Sequence, residues 1–248
     1  MEGYIKKYGL SGNALKIIAA LSMLIDHIGL IFFPHSATLR IIGRLSFPIF
    51  AYMIAEGCEY TRNKLKYFLS VFLLGAVCQA VYYIADGSEY LGILITFSIS
   101  ILTVYTLQYF KNTLASGDCG VLKRVFAAAL LVFTVSAVYV LNIFAEVDYG
   151  FFGCMAPVFA SLFRAPRGCE FGFFKSLDKR WVHILMLGIC MFVMSLMPGA
   201  RPPHSLLALP LLLLYSGGRG RLRMKYFFYI FYPAHLALLW GIAYLIGK

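Results

Sequence analysis

Long apolar runs alternate with short charged loops along the whole of this chain. The runs are roughly 15 to 24 residues long, which is the length that an α-helix needs to cross the hydrocarbon core of a bilayer. Of the 248 residues, 61% are hydrophobic and 13% are charged, whereas soluble domains carry about 25% charged residues. The sequence therefore predicts an all-α fold, a polytopic bundle of transmembrane helices.

We predict about nine spans in a single transmembrane domain that covers residues 1–248. They lie near residues 14–33, 39–57, 67–85, 90–110, 123–145, 149–164, 181–197, 204–217 and 226–246. Pro48 is expected to break or kink the second span. Segment 204–217 is short and contains Pro210, so a re-entrant segment is the alternative there.

The distribution of charge predicts an orientation. With the N-terminus in the cytoplasm, most Lys and Arg residues fall in cytoplasmic loops, whereas the opposite loops carry Asp86, Glu89, Glu146 and Asp148. This asymmetry is the one that orients bacterial membrane proteins. We therefore predict a cytoplasmic N-terminus and an outside C-terminus in the inner or plasma membrane. Loop charge also accounts for the net charge of +11, and we predict no nucleic-acid partner.

Ionisable residues inside the first two spans are the strongest functional signal. Each costs about 2.5–3.5 kcal/mol at a helix centre, and such residues usually mark function. Asp26 and His27 are adjacent, so they point about 100° apart and face different partners. Arg40 and Arg44 share one face, and the short connection makes the first two spans antiparallel neighbours. We expect an ion pair between Asp26 and an arginine, which leaves His27 able to titrate.

Three further residues complete the candidate catalytic set. Glu56 ends the second span, Asp148 lies at the outer end of the sixth, and His235 lies midway along the ninth. Structural explanations remain open: Glu56 could pair with Arg62, and His235 could be a packing residue. Arg40 could also extend to the outer interface.

The residue types suit two kinds of chemistry. Histidine can act as a general base at neutral pH, and nearby arginines can hold an anion or stabilise an oxyanion. These groups suit acyl transfer to an amine or hydroxyl. They equally suit a proton-coupled transporter or channel in which Asp26, His27 and Glu56 form a relay. The chain has no HExxH motif, paired cysteines, P-loop or GxSxG, and we predict no metal.

Several segments together resemble the TraX family. They read "LKIIAALSMLIDHIG", "LRIIGRLSFPIFAYMIAEGCEYTRNKLKYFLS", "EVDYGFFGCMAPVFASLFR", "LALPLLLLYSGGRG" and "KYFFYIFYPAHLALLWGI". The named member of that family is a conjugal-transfer protein associated with N-acetylation of F-type pilin. The first span also resembles, distantly, the first span of a large family of membrane acyltransferases. Lys16 stands at the position of that family's arginine, and His27 at the position of its histidine.

These resemblances imply a membrane acyltransferase that uses acetyl-CoA or another acyl-CoA. His27 would be the general base or acyl carrier. Asp26, Arg40 and Arg44 would support it, with Glu56, Asp148 and His235 as further site candidates. The resemblance does not identify the acceptor: the named member of the family suggests a pilin-like N-terminus, and a glycan or lipid hydroxyl of the cell envelope would use the same groups.

Basic residues in the cytoplasmic loops are the candidates for binding the nucleotide end of CoA. They are Arg62, Lys64, Lys66, Arg219, Arg221, Arg223 and Lys225. The alternative is that these residues only orient the protein in the membrane, where lipid is its other partner.

Overall fold

The structure is a computed structural model that describes residues 5, 7–87, 89–117, 119–166, 172–198, 203–221 and 224–247. Its regular elements, in the described part, are helices. They are α1 (Gly12–Phe32), α2 (Ala37–Gly43), α3 (Ser46–Tyr60), α4 (Lys64–Asp86), α5 (Ile93–Ala115), α6 (Val121–Phe144), α7 (Gly150–Ser161), α8 (Gly172–Leu177), α9 (Arg180–Ser195), a short 3-10 helix (His204–Ala208), α10 (Leu209–Leu213) and α11 (Lys225–Leu245). The predicted all-α class is confirmed.

Six helical stretches within the described residues are long and apolar enough to cross a membrane. They are Gly12–Phe32, Ala37–Tyr60, Lys64–Ile84, Ile93–Ala115, Val121–Phe144 and Phe227–Leu245. The other three predicted spans correspond to shorter apolar helices, Gly150–Ser161, Arg180–Ser195 and His204–Leu213. A helix of 12 residues reaches about 18 Å, less than the hydrocarbon core of about 30 Å. Length and composition therefore support six of the predicted spans.

The second span is interrupted where α2 ends and α3 begins. Arg44 and Leu45 form a turn between the two helices, and Pro48 lies in the first turn of α3. Proline is tolerated in a first helical turn, but it has no N–H to donate to the carbonyl of Arg44. The predicted break is therefore present, and it lies on the N-terminal side of the proline.

The described residues form two compact units, which divide within α3. The first unit, from residues 1–53 and 201–248, contains α1, α2, the start of α3, α10 and α11. The second unit, from residues 54–200, contains the end of α3 and helices α4 to α9.

In the first unit, α1 lies between two partners. A Cβ atom added to Gly29 of α1 would lie 2.8 Å from Cβ of Leu39 in α2, so glycine permits this close helix approach. On another side, α1 runs parallel to α11. Lys16 lies near Phe228, and His27, further along α1, contacts His235, further along α11.

In the second unit, the short helix α7 is the core element. Most of its residues are buried, and Ser100 of α5 donates a hydrogen bond to the carbonyl of Cys154, at 2.8 Å. Gly153, Ala156 and Ala160 are small, which lets neighbouring helices pack closely against α7.

Candidate functional site

A pair of histidines connects α1 and α11. Nδ1 of His27 lies 2.9 Å from Nε2 of His235, and Nδ1 of His235 lies 2.8 Å from the backbone carbonyl of Phe231. The His235 ring also stacks on the Phe231 ring, with centroids 5.0 Å apart. Because His235 is 5% exposed, these contacts hold its ring in one orientation.

The contacts define which ring nitrogens carry hydrogen. A carbonyl oxygen can only accept, so Nδ1 of His235 is the donor to Phe231. In a neutral imidazole the other nitrogen is then an acceptor, so Nδ1 of His27 donates to Nε2 of His235. Nε2 of His27 is left with a lone pair and without a hydrogen-bond partner among the described residues. This nitrogen is the basic atom of the site.

Asp26, next to His27, forms the predicted ion pair with Arg40. Nη1 of Arg40 lies 2.9 Å from Oδ2 of Asp26, and the two side chains are 21% and 19% exposed. The charge of Arg44 also acts on Asp26. The other carboxylate oxygen of Asp26, Oδ1, is buried and has no hydrogen-bond partner in the described part of the chain.

Gly43 of α2 leaves room for the Asp26 carboxylate. A Cβ atom at position 43 would overlap Oδ1, Cγ and Cβ of Asp26. The carboxylate therefore packs directly against the backbone of α2, one turn from Arg40. The arrangement holds a guanidinium against Asp26, the residue next to His27, and a guanidinium can stabilise negative charge that develops on a reacting group.

Glu56 belongs to the second unit and forms an ion pair with Arg164. Arg164 lies three residues after the end of α7. Both side chains are nearly buried, at 11% and 7% exposed. Sequence reasoning suggested Arg62 as the structural partner of Glu56 and did not identify Arg164. The two paired residues are 108 positions apart, and no local spacing relates them.

Asp148 also belongs to the second unit and has partners of its own. Tyr90 donates its hydroxyl to Oδ1 of Asp148 at 2.5 Å, and Thr96 donates to the Asp148 carbonyl at 3.1 Å. Burial, and then the Asp148 carboxylate, raise the pKa of Tyr90, so the phenol stays a donor at physiological pH. The next residue, Tyr149, has a backbone φ angle of 60°, which lies in the left-handed region.

A second cluster of buried polar groups lies around the C-terminal end of α7. Lys111 is 4% exposed, and its ammonium donates to the carbonyls of Ser161 at 2.8 Å and Arg164 at 2.7 Å. Nε2 of His183 lies 3.1 Å from Asp178. Sequence reasoning missed this cluster, because its residues come from separate helices.

The candidate CoA-binding residues form two groups, one in each unit. Arg62, Lys64 and Lys66 are exposed at the start of α4, and Nζ of Lys64 donates to Gln108 at 2.8 Å. Arg219 and Arg221 are exposed in the loop before α11. Arg223 and the side chain of Lys225 lie outside the described residues.

Metal binding finds no support in the described part of the chain, where no three His, Cys, Asp or Glu side chains converge as ligands would. The absence of a metal from the reaction stays a prediction.

The described residues include six apolar helices of spanning length. An ion pair and a histidine pair lie among α1, α2 and α11. These features define a polytopic membrane protein with an ionisable site inside its helices. The chain belongs to the TraX family. The family model, described as TraX protein, matches residues 11–243, which includes every element of the histidine and ion-pair site.

Two curated proteins are similar to this chain. One is the "Probable fimbrial assembly protein FimC, serogroup H1" of Dichelobacter nodosus, which is 25% identical over 255 residues, covering 92% of this chain and 94% of that protein. The other is "Uncharacterized protein RP591" of Rickettsia prowazekii (strain Madrid E), which is 31% identical over 104 residues, covering 42% of this chain and 39% of that protein. No solved structure matches the chain.

Proposed function

We propose that this protein is a membrane acyltransferase that moves an acetyl or other acyl group from cytoplasmic acyl-CoA to an amine or hydroxyl acceptor. The observation that carries the proposal is the hydrogen-bond chain from the Phe231 carbonyl through His235 to His27. It fixes one tautomer of His27 and directs an unshared lone pair on Nε2 away from the pair. A general base needs this combination of free lone pair and fixed orientation.

The chemistry at His27 balances without a cofactor. The acceptor N–H or O–H gives its proton to Nε2 of His27 as the acceptor atom attacks the thioester carbonyl. Arg40 stabilises the oxyanion that forms. When the carbon–sulfur bond breaks, the imidazolium returns the proton to the departing thiolate. In the alternative covalent route, Nε2 itself attacks the thioester and carries the acyl group to the acceptor.

A pilin-like N-terminus is the proposed acceptor. The support is the family, together with the relative named as a fimbrial assembly protein, which matches over nearly its whole length. A glycan or lipid hydroxyl of the cell envelope would react with the same groups of the site.

The proposed setting is the inner or plasma membrane, crossed about nine times, with the N-terminus in the cytoplasm and the C-terminus outside. Parallel packing of α1 and α11 supports termini on opposite sides, because both helices then cross in the same direction. The arrangement would bring a donor from the cytoplasmic side to an acceptor presented at the outer face.

Proton-coupled transport is less well supported. In that alternative, Asp26, His27 and Glu56 would pass protons. Both acids are engaged by guanidinium groups, Asp26 by Arg40 and Glu56 by Arg164. An acid held in an ion pair is a poor proton carrier, because protonation would leave its partner's charge uncompensated.

The experiment is to measure CoA release and acyl transfer by purified protein in proteoliposomes. His27→Ala and His27→Gln should each lower the rate by about 10²- to 10⁴-fold, the usual contribution of a general base. His235→Ala should lower it less, because Nε2 of His27 remains but its tautomer and orientation are no longer held.

The matched control is His35→Gln, which changes an exposed histidine in the connection between α1 and α2 and should leave the rate unchanged. Unfolding temperatures of all variants separate loss of function from loss of structure. Near-normal transfer by folded His27→Ala protein would refute the assignment, and solute flux without CoA dependence would favour the transporter.

A further inference from the structure

Lys16 is a cation inside the first apolar helix. It lies four residues into α1 and is only partly exposed. No hydrogen bond or ion pair involves its ammonium among the described residues, and its nearest aromatic contact is the Phe228 ring, whose centroid is 6.0 Å away. Within the part of the chain that the structure describes, this charge therefore lies in an apolar helix without a compensating anion.

A second cation, Arg219, is held close to the first. The charge of Arg219 acts on Lys16, and the segment that carries Arg219 contacts the first turn of α1. Backbone hydrogen bonds fix this arrangement: Gly12 donates to the carbonyl of Gly218 at 2.8 Å, and Asn13 donates to the carbonyl of Arg219 at 3.1 Å. The loop before α11 is therefore attached to the start of α1, and the Arg219 backbone lies within one helical turn of Lys16.

Two like charges on segments joined by backbone hydrogen bonds repel each other, and an anion bound between them would remove this repulsion. The backbone contacts also occupy the amides of Gly12 and Asn13, so the first amides of α1 are not available to a ligand. An anion here would be bound by the two side chains.

The position of Lys16 relates it to the histidine pair. His27 follows Lys16 by eleven positions. In an α-helix, this spacing corresponds to a rotation about 20° beyond three full turns and to a rise of about 16 Å along the axis. The two side chains thus share one face of α1. On α11, Phe228, Phe231 and His235 share the facing side, at spacings of three and four.

We propose that Lys16 and Arg219 bind the pyrophosphate of the acyl donor, at the end of the shared α1–α11 face that lies opposite His27. The inference rests on the proposed function. In acyl-CoA, an arm with two amide groups joins the pyrophosphate to the thioester, and its extended length is about 15 Å by analogy with extended peptide chain. With the pyrophosphate on the two cations, the arm follows Phe228 and Phe231 and brings the thioester to His27.

The test compares donors with and without phosphate. With acetyl-CoA, Lys16→Gln and Arg219→Gln should each raise KM about tenfold or more, because each removes a charged partner of the pyrophosphate, while kcat changes less than about threefold. With acetyl-pantetheine, which has no phosphate, the same substitutions should have no effect on KM. Lys16→Arg should retain most of the acetyl-CoA affinity.

Lys123→Gln is the matched control, since it removes an exposed lysine charge at the start of α6 and should leave both donors unaffected. Without ligand, Lys16→Gln should unfold at the same temperature as wild type or higher, because it removes an uncompensated charge. A lower unfolding temperature with an unchanged KM would show a structural role and overturn the inference.

Binding of CoA alone separates this inference from the proposed function. CoA should raise the unfolding temperature of the wild type and of His27→Ala, and much less that of Lys16→Gln. Equal protection of Lys16→Gln overturns the phosphate site while leaving acyl transfer standing. Wild type that neither binds CoA nor transfers acyl groups refutes the proposed function itself. Acyl transfer is also compared in vesicles with and without phosphatidylglycerol. If the rate depends on this lipid, and Lys16→Gln abolishes the dependence without changing the KM for acetyl-CoA, the cations bind lipid and the inference is overturned.

Discussion

Asp26 and Gly43 show how one missing methyl group can shape an ionisable site. The Asp26 carboxylate packs against the α2 backbone because position 43 has no Cβ, and from there it meets Arg40 at 2.9 Å. The carboxylate is therefore oriented by helix packing as well as by its ion pair.

Gly43→Ala should displace the Asp26 carboxylate and weaken the ion pair with Arg40. We expect a loss of about 1–3 kcal/mol of stability, as for other overpacked interiors, and at least a tenfold lower rate of acyl transfer. The measurements are the thermal unfolding temperature in detergent and CoA release in proteoliposomes.

Gly241→Ala is the control, because an added Cβ there meets no atom within 4 Å. It should be neutral or slightly stabilising, since alanine is the better helix former. Equal behaviour of the two alanine variants would contradict the role given to Gly43.

Sequence reasoning reached only part of this residue-scale arrangement. The Asp26–Arg40 pair was predictable, because a short connection between neighbouring antiparallel helices brings nearby positions together. The contact of His27 with His235 was not, since 208 positions separate them. Both histidines were candidates, but only the packing of α1 against α11 made them a pair.

At the scale of elements, α7 differs most from its prediction. The sequence suggested a sixth span near 149–164, and the structure has a helix of 12 residues that is mostly buried within its unit. The last carbonyls of any helix lack partners within it. At the C-terminal end of α7, the Ser161 carbonyl accepts from the Arg164 N–H at 3.2 Å and from the buried ammonium of Lys111 at 2.8 Å. The same ammonium donates to the Arg164 carbonyl, just beyond the helix.

Lys111→Met should remove the ammonium that donates to the buried carbonyls of Ser161 and Arg164. We expect a destabilisation of about 1–3 kcal/mol, the usual cost of an unsatisfied buried polar group, visible as a lower unfolding temperature by circular dichroism. Acyl transfer by the fraction that remains folded should be nearly unchanged.

Lys123→Met, at an exposed position of α6, should not change the unfolding temperature by a comparable amount. If Lys111→Met were as stable as this control, the capping role of Lys111 would be wrong.

At the scale of the whole molecule, the parallel contact of α1 with α11 constrains topology. Two parallel helices that both cross the membrane place the start of one and the end of the other on opposite sides. This relation is independent of how the shorter helices α7, α9 and α10 lie.

Cysteine labelling tests the orientation. In a background in which Cys119 and Cys169 are replaced by serine, Ile246→Cys should react with an impermeant maleimide on intact cells. Tyr8→Cys should react only after permeabilisation. Both native positions are well exposed, at 57% and 63%, so accessibility of the side chain is matched. Reaction of both variants from the same side would refute the proposed topology.

The helical class, the membrane setting and the ionisable residues inside the spans were all predictable from the sequence. These properties follow from apolar run length, from loop charge and from the cost of charge in lipid, which act locally along the chain. The partners depend on the tertiary structure: His235 for His27, Arg164 for Glu56, the backbone of Arg219 for the first turn of α1, and the burial of α7. Such contacts depend on how distant helices pack against each other, and helix packing in a membrane follows shape and small residues more than any local pattern.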